Sequence, residues 1–306
     1  MPNFCKALII ATAALMLLAG CSPGEPEHAL TYSQGAREGT VPVYRFAVHP
    51  LHSPHKLLQT YQPLIDYLNA HLINAHLEVE ASRDYGAFEA KVGEAGPAFL
   101  LPNPVQTLLA RQRGYQVLAM AGDAEDFRGI FIVRKDAGIR QPQDLKGKTV
   151  SYPSPTALAA AIMPQYFLYK QGVDVQRDLK NSYVGSQESS ILNAYLGTSS
   201  AAATWPPPWR MFQKDHPAEA AQMMQIWETP PLINNSVMAH ESVPLPVRQQ
   251  VKALLVGLKK VPEGAAILAN LETAAFYPAD NQSYDVVQTY LQTFEQNVRP
   301  VQLQLN

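Results

Sequence analysis

The stretch Gly129-Ile130-Phe131-Ile132-Val133-Arg134-Lys135-Asp136-Ala137-Gly138-Ile139 and, shortly after it, Asp144-Leu145-Lys146-Gly147-Lys148-Thr149-Val150 lie near the middle of a 306-residue chain. Ile130 to Val133 is a short apolar run closed by two basic residues, which predicts a buried strand. Pro142 to Lys148 is a polar, Gly-containing turn that feeds a second strand, Thr149-Val150-Ser151-Tyr152. Upstream, Arg45 to Val48, Leu77 to Ala81, Ala98 to Leu101 and Val117 to Met120 read as strands. Between the first two, Ser53-Pro54 opens a helix whose Leu57, Leu58, Tyr61, Leu64, Ile65 and Leu68 share one face, with a bend expected at Pro63. Short helices are predicted over residues 84–93 and from Pro104 to Arg113. Downstream, the pattern repeats: helix from Thr156 to Lys170 with Pro164 inside it, strand at Tyr183-Val184, helix from Ser189 to Leu196, strand from Ala201 to Thr204, strand from Ser236 to Ala239, then helices over 247–260, 263–271 and 283–297. Strands alternating with helices in two series predict α/β layers.

Composition narrows the function. The chain is 47% hydrophobic and 16% charged, with 24 basic and 26 acidic residues, so no basic surplus points to nucleic acid. The two cysteines are Cys5 and Cys21. Lys6 precedes the apolar run from Ala7 to Leu18, which falls short of the ~20 residues a spanning helix needs and reads as an export signal over residues 1–20. Leu18-Ala19-Gly20-Cys21 resembles the lipobox of bacterial lipoproteins, which implies cleavage before Cys21 and acyl chains on it. Residues 21–42, with Pro23, Gly24, Pro26, Gly35 and Gly39, read as a flexible tether. Loss of Cys5 with the signal excludes thiol catalysis and thiolate metal sites in the body. His49, His52 and His55 recur every third residue, but Pro50 and Pro54 place them on a loop entering a helix, and no metal site is assigned. Lys146-Gly147-Lys148-Thr149 is not a phosphate loop, because Pro142 stands where that loop needs Gly. Asp123, Glu125 and Asp126 read as a solvated turn.

The two central runs, together with Phe46-Ala47-Val48-His49-Pro50, the stretch from Tyr61 to Leu68, Pro164, Gly172-Val173-Asp174, Glu263-Gly264-Ala265-Ala266-Ile267-Leu268 and Phe276-Tyr277-Pro278-Ala279-Asp280, resemble in order the periplasmic phosphate/phosphite/phosphonate-binding proteins of ABC transporters over most of residues 43–297. The resemblance implies a two-lobed, type II periplasmic-binding-protein fold of the α/β class, with the ligand cleft between lobes. Residues 43–134 and 236–306 would form lobe one and 135–235 lobe two. Five loops would then stand at strand ends facing the cleft, where helix N-termini offer free N–H groups to an oxyanion. From these loops His49, His52, Asn103, Ser154, Thr156, Ser186, Gln187, Ser189 and Trp205 are the candidate ligand-binding residues. The same Ser and Thr side chains also suit plain helix caps. The family commonly has Tyr at the position of His49, a Ser-Thr-Ser-Gly-like run at Ser154-Pro155-Thr156-Ala157, His at Gln187 and Asp near Ser200, so the expected cradle is only partly retained.

The function expected on this reading is a lipid-anchored, monomeric solute receptor at the periplasmic face of the membrane. It captures a small anionic ligand for an ABC permease, with no catalytic residues, cofactor, metal or nucleic acid. The alternatives are a sensory receptor, a binder of an aromatic or amine ligand through the rigid Trp205-Pro206-Pro207-Pro208-Trp209 segment, and an exported hydrolase.

Overall fold

The computed structural model describes residues 41–302. The expected export signal, the Leu18-Ala19-Gly20-Cys21 lipobox and the tether up to residue 40 lie outside the described residues.

The chain first lays down four strands, β1 (Val43–Val48), β2 (His76–Glu80), β3 (Phe99–Leu101) and β4 (Tyr115–Ala121), linked by helices α1 (Pro54–His71), α2 (Tyr85–Gly93) and α3 (Pro104–Arg111). Helix α1 starts at Ser53-Pro54 as its sequence predicts, although the Ser53 side chain makes no capping bond. It runs without interruption through Pro63 and buries Leu57, Tyr61, Leu64, Ile65 and Leu68. The chain then crosses to a second body: β5 (Ile130–Arg134), β6 (Thr149–Tyr152), β7 (Lys180–Tyr183), β8 (Ala201–Thr204) and β9 (Met223–Glu228), with helices α4 (Met163–Lys170), α5 (Gln187–Tyr195) and α6 (Pro206–Asp215). It returns as β10 (Ser236–His240), α7 (Leu245–Gly257), α8 (Gly264–Asn270), β11 (Phe276–Pro278) and α9 (Asp285–Asn297).

Two sheets result, in the orders β11-β4-β10-β3-β1-β2 and β7-β6-β8-β5-β9. Each is built around three parallel strands. In each, one antiparallel strand that has just crossed from the other lobe is inserted beside the third: β10 next to β3, β5 next to β8. Parallel strands with helical crossovers leave the strand carboxyl ends, and the helices starting there, facing one cleft. Of the interior strands, β3 and β5 are almost fully apolar, as strands covered on both faces require.

The lobe boundary differs from the one the sequence predicts. Ile130–Arg134, expected in lobe one, pairs with β8 and β9 and so belongs to the second sheet. The segments that cross are residues 122–129 and 229–235. An apolar run marks a buried strand but carries no record of which sheet it joins. Strand β9 escapes the sequence pattern because it is an edge strand with mostly exposed or half-buried residues. The Asp123–Asp126 turn is structural rather than free: Asp126 pairs with Arg210 at 2.7 Å, and Asp123 accepts the Tyr277 hydroxyl.

Gly129 fixes how the first crossing meets the second lobe. A Cβ there would lie 2.6 Å from the Ala159 carbonyl oxygen and 2.7 Å from the Pro164 ring. Gly129→Ala is therefore expected to destabilise the fold by about 1–3 kcal/mol through overpacking, read as a lower urea midpoint at unchanged slope. An unchanged midpoint would show that this approach is slack.

Candidate functional site

The loops after β1, β3, β6, β7 and β8 converge on a small, tightly closed chamber between the lobes. His49, Tyr85, Asn103 and Asn235 line it from one side, and Ala157 to Ala160, Gln187 and Trp205 from the other. Four of the residues singled out in the sequence, His49, Asn103, Gln187 and Trp205, therefore share this chamber.

The second lobe contributes a helix start made of small residues. A π-helical turn, Leu158–Ile162, runs directly into α4. Pro164 has no N–H and its ring crowds the carbonyl four residues earlier, so the turn widens at this point. The first N–H groups of a helix have no partner within it. Leu158, Ala159 and Ala160, at this helix start, line the chamber, beside the positive end of the helix. With Leu158 among alanines, the wall leaves space close to the backbone.

The first lobe contributes side chains held by fixed hydrogen bonds. His49 Nδ1 lies 2.8 Å from the Leu101 carbonyl oxygen. A carbonyl only accepts, so Nδ1 carries the proton and Nε2 is a lone-pair acceptor in the neutral ring. Burial lowers the His49 pKa to about 4, despite the opposing Leu101 bond, and the ring is neutral at pH 7. Gln187 is held at both ends of its amide. Its Oε1 accepts the Thr204 hydroxyl (2.9 Å), and its Nε2 donates to the Tyr85 hydroxyl across the cleft (3.1 Å). Tyr85 thus accepts from Gln187 and retains its own proton to donate. Burial pushes the Tyr85 pKa up and keeps that proton in place. The sequence reading had Tyr85 inside a helix and missed it. The available signal is Asp84, whose side chain caps α2 by accepting from the Ala87 N–H and so fixes Tyr85 at the helix start.

A polar clasp joins the lobes beside the chamber. Glu89, 1% exposed, accepts the Thr156 hydroxyl (2.5 Å) and the Gln106 amide (3.1 Å) at one carboxyl oxygen. Asn103 caps α3 through its side-chain oxygen and gives its amide N–H to the Thr156 carbonyl across the cleft at 3.3 Å. Thr156 and Ser154 share a hydrogen bond of 2.9 Å, and Ser154 faces a separate open pocket beside Tyr183. Ser186 caps α5, accepting from the Ser189 N–H and donating to the Ser189 hydroxyl. Thr156, Ser154, Ser186 and Ser189 thus stand behind the chamber as supports, outside its wall.

The proline segment is not an extended wall. Pro206, Pro207 and Pro208 form the first turn of α6, and Trp205 precedes them. Trp209 packs on Phe212 within the second lobe. Trp205 packs on Phe127 with ring centroids 5.4 Å apart. Behind Trp205 lies a second small chamber, and His52 lines this one rather than the first. His55 lines a third, shallow surface pocket, so the three histidines do not converge.

Charge completes the closed arrangement. Lys56 pairs with Asp215 across the cleft. Arg210 on α6 binds Asp126 at 2.7 Å and Glu272 at 2.8 Å, and Lys214 also pairs with Glu272. His52, like His49, has its pKa lowered to about 4, by burial first and by the Lys56 charge second. A histidine whose folded pKa lies below its unfolded value binds fewer protons when folded between those two values. Stability is then full above about pH 6.5 and falls as the pH drops towards 4, by roughly 2–3 kcal/mol per ring. Urea midpoints measured from pH 7.5 to 4.5 are expected to fall with that onset. In His49→Gln with His52→Gln the fall should be much shallower; an identical slope would mean that other groups carry it.

Comparison with known proteins agrees with this architecture. The family model described as "ABC transporter, phosphonate, periplasmic substrate-binding protein" matches residues 46–284. The probable ABC transporter phosphite binding protein PhnD1 of Prochlorococcus marinus is 24% identical over 126 residues, 39% of this chain. That match spans 42% of the relative's length, less than half of it. The crystal structure of PhnD1 in complex with methylphosphonate superposes with a TM-score of 0.76 at 17% identity, over 83% of this chain and 98% of that one. A binding protein component of an ABC phosphonate transporter from Pseudomonas aeruginosa gives 0.78 at 15% identity, over 84% and 88% of the two chains. With a family match over most of its length, this chain belongs to the periplasmic substrate-binding proteins of phosphonate ABC transporters.

Proposed function

We propose that the protein captures a small tetrahedral oxyanion of the phosphonate or phosphite class in the chamber between its lobes and presents it to an ABC permease, without making or breaking a bond. The observation that carries this reading is the pairing of unlike functions around the first chamber. The Leu158–Ala160 amides and the Tyr85 hydroxyl donate, and His49 Nε2 accepts. A dianion needs only donors. A phosphonate or phosphite monoanion carries one P–OH and uses both. Closure removes the ligand from water and strengthens each of these bonds. Export and lipid anchoring at Cys21 complete the reading and rest on the sequence of residues 1–21 alone.

A thermal-unfolding panel tests it. Phosphite and methylphosphonate at 100 times their dissociation constants are expected to stabilise the protein by about 2.7 kcal/mol. Methanesulfonate has the same shape and charge but no proton to give His49, and leaves that acceptor unpaired; it is expected to bind at least about 10-fold more weakly. A shift produced only by quaternary amines or aromatic cations would replace this reading with one centred on Trp205.

A further inference from the structure

The second chamber opens onto the same residues as the first. Trp205 and Asn235 line both, so they stand at the junction. Asn235 is 3% exposed, yet its Oδ1 has no hydrogen-bond partner in the protein. A buried carboxamide oxygen without a partner costs stability unless a bound molecule satisfies it. Both lobes build the second chamber, with Leu51, Tyr61 and Leu271 from the first and Pro207, Pro208 and Met211 from the second. Like the first chamber, it therefore takes its shape only when the lobes are closed.

Its chemistry differs from that of the first chamber in one respect that decides what it accepts. The helix that starts there, α6, has proline at its first three positions and so offers no N–H group where a helix start otherwise binds anions. The carboxylates on its wall, Asp126 and Glu272, are already engaged by Arg210 and Lys214. The chamber thus offers neither an anion cradle nor an unengaged carboxylate for an ammonium group. It offers mainly apolar surface beside an indole, with the uncharged polar groups of Asn234, Asn235 and Thr273 and the imidazole of His52 on the same wall.

We propose that this second chamber is a subsite for an uncharged apolar substituent of the ligand, so that the protein takes alkyl- or arylphosphonates whose head lies in the first chamber and whose tail passes Trp205 and Asn235 into the second. This rests on the oxyanion reading of the first chamber. It makes the preferred ligand larger than methylphosphonate and sets it apart from aminoalkylphosphonates.

The test is calorimetric titration of the purified protein with methyl-, n-butyl-, phenyl- and 2-aminoethylphosphonate, on the wild type and on Met211→Trp, which fills the second chamber from a half-buried position. Butyl- and phenylphosphonate are expected to bind at least about 10-fold more tightly than methylphosphonate, and 2-aminoethylphosphonate no more tightly. Met211→Trp should erase the gain and leave methylphosphonate within about twofold. Thr273→Trp, which enters from the opposite wall, serves if Met211→Trp fails to fold. If methylphosphonate binds and the tailed compounds gain nothing, or if the gain survives both variants, the second subsite is overturned and the oxyanion reading stands. If 2-aminoethylphosphonate is the tightest, the uncharged tail is wrong. If no phosphonate binds, both readings fall.

Discussion

Replacing Ala159 with Phe is expected to lower methylphosphonate affinity by at least about 100-fold while leaving the protein folded. Ala159 is buried in the wall of the first chamber, in the turn proposed to hold the ligand. A ring placed there occupies the volume that the tetrahedral head needs and covers the donors beside it. Ala159 also belongs to the packed core, so the added ring is expected to cost about 1–3 kcal/mol of stability by overpacking. Calorimetry reads the first effect and urea unfolding the second. Affinity retained within about threefold would place the ligand elsewhere.

The second large effect concerns stability. Glu89→Ala is expected to destabilise the protein by about 3 kcal/mol, because it leaves the Thr156 hydroxyl and the Gln106 amide without the carboxyl oxygen they share in a buried site. Glu89→Gln keeps an acceptor oxygen at that place and should recover most of the loss. Since Glu89 belongs to the first lobe and Thr156 to the second, the alanine variant should also weaken ligand binding by about 10-fold, as the closed form loses one of its ties. Denaturant midpoints of both variants check the first claim, and titrations the second. An alanine variant as stable as the wild type would mean that the clasp does not bear on closure.

Much of the architecture follows from patterns the sequence carries on its surface. The α1 stripe of Leu57, Tyr61, Leu64, Ile65 and Leu68 has helical spacing and is buried as that spacing requires. The turn from Pro142 to Lys148 feeds β6 where Gly147 takes φ of 77°, a conformation that suits glycine. Strand partnership was not legible in the same way. Ile130 to Val133 is equally apolar in either sheet, and only the three-dimensional insertion between β8 and β9 settles which one.

The candidate chamber is legible only in part. His49, Asn103, Gln187 and Trp205 stand in the loops and helix starts that follow strands, and position alone singles them out. Ser154, Thr156, Ser186 and Ser189 have the composition of an anion cradle, but Thr156 donates to Glu89, Ser154 bonds Thr156, and Ser186 caps α5 and donates to Ser189. A hydroxyl in a sequence carries no sign of whether its bond is already made. The converse holds for Ala157, Ala159 and Ala160, which look like filler and line the chamber at a helix start. Asn235 and Glu89 lie in a crossing segment and mid-helix, with no local pattern to mark them; their importance arises from contacts made across the cleft or left unmade within it.

The most direct test of the whole account is a calorimetric titration of methylphosphonate into the wild-type protein and into Ala159→Phe at neutral pH. The account predicts one molecule bound per chain in the wild type, displaced by phosphite, and no detectable heat of binding in the variant. Saturable binding of equal strength in both proteins, or none in either, would contradict a ligand seated between the lobes at the Leu158–Ala160 turn.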